Sequence, residues 1–427
     1  MVKITSISIN GYRNIINTTL VLEEALTILL APNNYGKTNF LHGINFAAEL
    51  VGSGEAWQAD LIRQNGYLSS NKANAPDSFR FSITFLANEE FIEPFILNDD
   101  NIERDSGFIT VTYTFDIAPK KGVLYECLLV DERELYTREN EILDLYGTRY
   151  RYNAFNLALA ITLWPDKLEN VIGVYARIVR WVFMNLEGIF GDGEGQFNEK
   201  PDEREKKNIS YLFTLMKHVK GKTTKDEPTS LSKYKEDFSQ LFPAIHSFLI
   251  RDIRSGKEVK NAPAESDDSS VGYYKLLFET DTKKDFEMFD RLSAGTRRIF
   301  SILLAVYRRR DRPLIGIEEL ENGIHPLLHR DMLGLLNGAC ENAKIVLTSH
   351  SPTVIRHIGA KRYRSFYVGV PNEDGYATFL PLDPAKLDII MQKAESLNTS
   401  IGELLFDMMS GSKASKKELK GWLVSDA

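Results

Sequence analysis

The stretch from Leu26 to Phe46 constrains this chain more than any other. It opens with the mostly apolar run Leu26-Thr27-Ile28-Leu29-Leu30 and passes through Ala31-Pro32-Asn33-Asn34-Tyr35-Gly36-Lys37-Thr38. It continues as Asn39-Phe40-Leu41-His42-Gly43-Ile44-Asn45-Phe46, whose apolar residues have helical spacing. A strand, a tight loop ending in Gly-Lys-Thr and a helix form the context in which backbone N–H groups wrap a phosphate. The helix N-terminus adds its partial positive charge. In such a loop Lys37 reaches the β- and γ-phosphates, and Thr38 gives its hydroxyl to Mg²⁺. Ala31 stands where the usual loop begins with glycine. Alanine fits there only if φ is negative, because a Cβ penalises the left-handed region. The rest of the chain decides between this reading and a chance Gly-Lys-Thr turn.

The N-terminal flank alternates polar and apolar residues over 3–10, as a half-buried strand does. Gly11-Tyr12-Arg13-Asn14 reads as a turn, and Ile15 to Leu22 as a returning strand. Arg13 could touch a nucleotide or be a solvated turn charge. After the loop and its helix, alternating segments at 79–85, 109–115 and 124–130 predict an antiparallel sheet. Residues 153–163 and 171–190 carry helical spacing, and 153–250 reads mainly as helix. The stretch 198–237 is dense in charge, with a small basic knot at 220–225 that is a solvated face or a DNA or partner contact. Residues 252–270 read as a loop.

Composition limits the partners. The net charge of -7 gives no global attraction to nucleic acid, so any such contact needs a local basic patch. Cys127 and Cys340 are the only cysteines, which excludes a disulfide framework or a cysteine zinc cluster. The start, Met1-Val2-Lys3-Ile4, is not a signal sequence. No apolar run approaches the ~20 residues that span a bilayer. A cytoplasmic location and no membrane contact follow as expectations.

The last third repeats the strand signal at 274–278 and 286–289. Leu292-Ser293-Ala294-Gly295-Thr296-Arg297-Arg298 then opens a helix to Arg308. Leu314-Ile315-Gly316-Ile317 is a buried-type strand that runs into Glu318-Glu319, and Ile345-Val346-Leu347-Thr348-Ser349 is another, running into His350. A helix over 326–341 lies between them, which predicts a parallel βαβ unit. One more strand, a helix near 386–397 and a basic end at 413–420 follow.

These elements fit phosphoryl transfer, which needs positioning, a metal and a group that orients the attacking water. Glu318 and Glu319 supply one carboxylate near Mg²⁺ and one that can polarise water. Ser293 and Gly295 at a helix start offer a second anion site. His350 can sense or hold a γ-phosphate. Singly, each has a plain reading: strand-end charges, an N-cap, a turn histidine. His325 and His329 lie four apart, but no third ligand completes a zinc pattern, which favours structural roles.

Together the motifs resemble those of ABC-type ATPases of the SMC/RecF/OLD group. Asn33-Asn34-Tyr35-Gly36-Lys37-Thr38-Asn39 is similar to the OLD-like phosphate loop. Leu292 to Arg297 resembles the signature motif, Glu318 to Pro326 the Walker B and D-loop segment, and Thr348 to Pro352 the switch-histidine segment. Asp60-Leu61-Ile62-Arg63 is also similar to this group. The resemblance implies a P-loop NTPase of the ABC head type: an α/β fold with a mixed sheet, an antiparallel β-subdomain and a helical insertion. The head would be built from residues 1–150 and 271–427, with 151–270 inserted.

By the same resemblance, Asn33 to Asn39 cradle ATP, Thr38 and Glu318 hold Mg²⁺, Glu319 is the catalytic base and His350 the switch. Two ATPs would lie between two heads, with Ser293 and Gly295 of one facing the phosphate loop of the other. Leu320 replaces the usual proline, and no Q-loop glutamine stands between Tyr67 and Gly195. Turnover is therefore expected to be slow or partner-gated. Too few residues follow His350 for the Toprim nuclease domain of OLD enzymes. A stand-alone ATPase controlling a separate nuclease or toxin, as in bacterial anti-phage defence, is the leading expectation. A DNA-repair or chromosome-maintenance ATPase and a non-hydrolysing scaffold that sequesters a partner are the alternatives.

Overall fold

The computed structural model describes residues 1–64, 66–68, 75–95, 107–145, 147–160, 169–186, 201–218, 230–261, 271–281, 286–308, 313–339, 343–357, 364–372 and 374–424. The first strands are β1 (Val2–Asn10), β2 (Thr18–Val21) and β3 (Leu26–Leu30), followed by α1 (Lys37–Gly52) and α2 (Glu55–Arg63). Next come β4 (Phe79–Asn88), α3 (Glu89–Ile92), β5 (Phe108–Ala118), β6 (Gly122–Val130), β7 (Arg133–Glu139), β8 (Ile142–Leu145) and β9 (Thr148–Arg151). An eight-stranded antiparallel sheet takes the order β2-β1-β4-β5-β6-β7-β8-β9. Its alternation is regular: Phe79, Phe81, Ile83, Phe85 and Ala87 of β4 are buried, while their neighbours are at least partly exposed.

Three helices follow: α4 (Glu169–Met184), α5 (Pro201–His218) and α6 (Ser230–Leu241). Helix α4 packs on α1 and shares a core with the antiparallel sheet. Helices α5 and α6 belong to a second core. β10 (Ile245–Asp252), β11 (Tyr274–Thr280) and the two-residue β12 (Glu287–Met288) form a small antiparallel sheet.

The remaining elements are α7 (Ala294–Arg308), β13 (Leu314–Ile317), α8 (Pro326–Ala339), β14 (Lys344–Ser349), α9 (Pro352–Arg356), β15 (Phe366–Pro371), β16 (Ala377–Pro381), α10 (Leu387–Ser396), α11 (Ile401–Ser410) and α12 (Lys413–Lys420). A five-stranded sheet has the order β13-β14-β3-β15-β16, with only the β15–β16 pair antiparallel. Strand β3 lies at its centre and is buried on both faces. Leu29 joins the first core, while Leu26, Ile28 and Leu30 join the second. That two-sided burial explains the mostly apolar run. The chain thus has the expected α/β fold, with a mixed sheet beside an antiparallel subdomain and β13-α8-β14 as the parallel unit.

Three local readings change. Residues 153–160, expected as helix, form turns with one short 3₁₀ segment at Ala158–Ala160. Their backbone is captured by a buried pair on the sheet. Glu126 accepts from the N–H groups of Ala158 (2.6 Å) and Leu159 (3.2 Å), and Arg138 donates to the carbonyls of Asn153, Asn156 and Asn140. Residues 245–252 are a strand rather than helix, and the 15–22 strand begins only at Thr18. The basic knot at 220–225, Cys340 and the stretch 262–270 lie outside the described residues. Among the described residues no helix is long and apolar enough to cross a membrane.

Candidate active site at the carboxyl edge of the central sheet

Strands β13, β14 and β3 are parallel neighbours, so their carboxyl ends share one edge of the sheet. That edge carries Glu318-Glu319 after β13, His350 after β14 and the 31–36 loop after β3. Ligand crevices of open α/β sheets form at such edges.

The loop turns through Asn34 (φ 68°) and Gly36 (φ 90°), and α1 starts directly after Gly36. A Cβ on Gly36 would stand 2.6 Å from Ile15 Cδ1 and 2.7 Å from Asn14 Oδ1, so glycine is needed both for φ and for space. Ala31 is not among the positive-φ residues, which meets the condition for an alanine at this position. Its side chain is fully buried, and the strand beside it, β15, presents Gly369 there.

Lys37 is 5% exposed and donates from Nζ to the carbonyls of Ala31 (2.7 Å) and Pro32 (3.1 Å). Burial lowers its pKa, and the charges of Glu319, Glu321 and Glu318 push it back up. The ammonium therefore lies within the field of all three carboxylates. Asn33 and Asn34 are exposed at the loop tip, and Tyr35 packs on the first core. Asn39 bonds to the 11–14 turn: its Oδ1 accepts from Arg13 (3.0 Å), and its Nδ2 donates to Asn14 (2.7 Å). Arg13 also lies 3.2 Å from His42 Nδ1, so it ties the 11–14 turn to the start of α1. It is an anchor there rather than a solvated charge.

Thr38 donates its hydroxyl to Glu318 Oε1. Glu318 is 5% exposed, and its Oε2 is buried with no hydrogen-bond partner among the described residues. A hydroxyl and an under-satisfied carboxylate, two hard oxygen donors at a phosphate loop, fit Mg²⁺, which takes one or two carboxylates and completes its shell with water and phosphate. Among the described residues no group of three or more His, Cys, Asp or Glu forms an all-protein metal cage. His325 Nδ1 accepts from the N–H of Leu327 (3.3 Å) and His329 is buried, both placements within the turn and first coils of α8.

Glu319 has φ 44°, a left-handed conformation uncommon outside glycine. Its neighbours hold it there. Its N–H donates to Thr348 Oγ1 (2.9 Å), Arg298 donates to the carbonyls of Glu318 and Glu319 (2.7 Å each), and Asn322 donates to its Oε2 (3.1 Å). His350 Nδ1 lies 3.4 Å from Glu319 Oε1. The edge thus gathers Lys37, Thr38, Glu318, Glu319 and His350.

Ser293 and Gly295 sit elsewhere, at the start of α7. Ser293 is exposed and caps that helix, its Oγ accepting from the N–H of Thr296 (3.1 Å). A Cβ on Gly295 would stand 2.3 Å from the Gly323 carbonyl, so the two turns touch. Sequence reasoning gave no role to Arg298 or Glu321. The only signal for Glu321 was its place in the Glu318 to Pro326 segment, and Arg298 only follows the Leu292 to Arg297 segment. Gln58, early in the chain for a Q-loop glutamine, is fully buried and structural: it donates to Leu50 O (3.0 Å) and accepts from the N–H of Leu157 (3.2 Å).

Residues 183–356 match the family model described as AAA domain, putative AbiEii toxin, Type IV TA system. The match contains Ser293, Glu318, Glu319 and His350 but not the phosphate loop. Among solved structures the chain is similar to an Smc head bound to the C-winged helix domain of ScpA, at 12% identity over 91% of this chain and 99% of that one, TM-score 0.49. It is also similar to an Smc head with an extended coiled coil bound to the C-terminal domain of ScpA derived from Pyrococcus furiosus, at 13% identity over 93% and 100%, TM-score 0.49. The SMC head domain from Thermotoga maritima gives 10% identity over 89% and 99%, TM-score 0.45.

Proposed function

We propose that this chain is an ATP-hydrolysing switch that pairs with a second copy on binding ATP and controls a separate effector, a nuclease or toxin, in bacterial defence against phage. The observation that carries the ATPase reading is the Thr38 hydroxyl on Glu318, whose second oxygen is buried without a partner among the described residues, beside the Lys37 loop. The family description over 183–356, with its toxin–antitoxin label, supports the link to an effector.

In this reading the loop N–H groups and Lys37 hold the β- and γ-phosphates. Thr38 and Glu318 would hold Mg²⁺, which supplies positive charge against the phosphate oxygens. Glu319 orients a water and takes its proton as the water oxygen bonds to the γ-phosphorus and the bond to the departing ADP oxygen breaks. Asn322 holds one oxygen of the Glu319 carboxylate, and His350 Nδ1 stands 3.4 Å from the other. Ser293, exposed at the α7 start, completes the site of the second copy.

The test is ATP binding and turnover by the purified protein, with and without double-stranded DNA. Lys37→Ala should abolish binding, and unchanged affinity would remove the phosphate-loop assignment. Glu319→Gln should bind ATP, lose turnover and accumulate as a dimer; hydrolysis at the parent rate would place the base elsewhere. Strong stimulation by DNA would favour a repair ATPase. The defence role is read by phage challenge of cells carrying the chain with its neighbouring gene: protection should vanish with Lys37→Ala.

A further inference from the structure

We propose that Glu321 is a positioning residue: its carboxylate clamps the loop after β14 and so sets His350 against Glu319. The proposal rests on the reading of Glu319 and His350 above. Glu321 lies two residues past Glu319 in the turn before α8, and its side chain is only 8% exposed. A single oxygen, Oε1, accepts from the Ser349 hydroxyl (3.0 Å) and the His350 backbone N–H (2.6 Å). The His350 ring comes to it as well, with Nδ1 at 3.2 Å. The second oxygen, Oε2, is buried without a partner among the described residues. A buried carboxylate is costly unless its hydrogen bonds are strong, and the N–H donor at 2.6 Å is as short as charge-assisted bonds are.

Two ties therefore join the ends of β13 and β14. Thr348 holds the Glu319 N–H, and Glu321 holds Ser349 and His350. Removing Glu321 leaves the strand ends tied through Thr348 and every hydrogen bond of Lys37 and Thr38 in place, and takes away one of the three carboxylate charges that act on Lys37. It frees the loop that aims the histidine. The loss should fall on the chemical step rather than on ATP binding.

The experiment pairs steady-state kinetics with hydrogen exchange of the segment 344–357. Glu321→Ala should lower kcat about 10- to 100-fold, the worth of lost hydrogen bonds to a charged group. KM for ATP should stay within about threefold, because residues made only for the transition state act on kcat. Glu321→Gln keeps an acceptor oxygen and should retain most of the rate and of the His350 amide protection; Glu321→Ala should lose that protection. Combined with His350→Ala, Glu321→Ala should cost nothing further, since it acts through the histidine. A multiplicative loss in the double variant, or unchanged exchange in Glu321→Ala, overturns the clamp. Parental turnover in Glu321→Ala beside an inactive Glu319→Gln overturns the positioning role alone. Parental turnover in Glu319→Gln overturns the site reading on which it rests.

Discussion

Gly369→Ala should damage the phosphate loop from behind. An ideal Cβ on Gly369 would lie 2.8 Å from the Ala31 Cβ and 3.0 Å from Phe379 Cε1. Carbon atoms in contact sit ~3.5–4.0 Å apart, so the overlap with the Ala31 methyl is about 0.7 Å or more. Ala31 and Phe379 are both fully buried and have nowhere to go. Overpacking of this kind costs about 1–3 kcal/mol. The strain reaches the site directly, because the Ala31 carbonyl accepts from Lys37 at 2.7 Å. If half of the cost falls on the loop, about 0.5–1.5 kcal/mol, ATP affinity drops by about twofold to twelvefold. Ala31→Gly alone removes a buried methyl, worth about 0.8 kcal/mol, and adds backbone freedom worth roughly 0.5–1 kcal/mol. The double variant should be less harmed than the sum, with a coupling of about 1 kcal/mol or more. Urea midpoints and binding of a fluorescent ATP analogue, measured across the four proteins, read both quantities. Additive losses, or a neutral Gly369→Ala, would refute the idea that Ala31 occupies the first-glycine position by using the space at Gly369.

Two further outcomes follow from buried charge. Arg138→Leu strips donors from three carbonyls and leaves Glu126 without its cation, so stability should fall by about 3–5 kcal/mol and residues 153–159 should exchange rapidly; an unchanged exchange pattern would contradict the latch. Lys344, 5% exposed, donates to the carbonyls of Glu23 and Glu24, and burial lowers its pKa to about 8. Its folded value lies below its unfolded one, so the unfolded chain binds more protons between those values and stability rises as pH climbs from about 8 toward 10. Relative to Lys344→Met, the parent should gain about 1–2 kcal/mol between roughly pH 7.5 and 9.5; parallel stability curves would refute this.

Three strands of the central sheet were legible because they are buried throughout, and such strands write mostly apolar runs: 26–30, 314–317 and 345–349. Their parallel order then brings Lys37, Thr38, Glu318, Glu319 and His350 to one edge without any help from local pattern. The segment 153–160 misled for the opposite reason. Its apolar residues have helical spacing, yet Glu126 and Arg138, 15–33 residues away in the chain, compete for its backbone groups and win. Strand β10 was hidden because its pairing partner, β11, lies beyond a long polar connection. Arg298 and Glu321 had no role in the sequence reading, because nothing local says that a guanidinium will hold two carbonyls or that a carboxylate will hold a histidine's N–H.

Leu320, read from sequence as a departure from the usual proline, has a physical counterpart in the residue before it. A proline ring restricts the preceding residue to extended or polyproline backbone. Glu319 instead adopts φ 44°, and that conformation aims its N–H at Thr348 and its carbonyl at Arg298. Leu320 leaves this geometry open and, fully buried in the second core, anchors the turn from below. Strain at residue 319 is worth of order 1–3 kcal/mol, and it persists because Arg298, Thr348 and Asn322 over-determine it. Arg298 belongs to α7, the helix that Ser293 caps, and Gly295 of its first turn touches Gly323 just beyond Glu319. Whatever displaces the start of α7 must therefore work against the same contacts that keep Glu319 in its strained position.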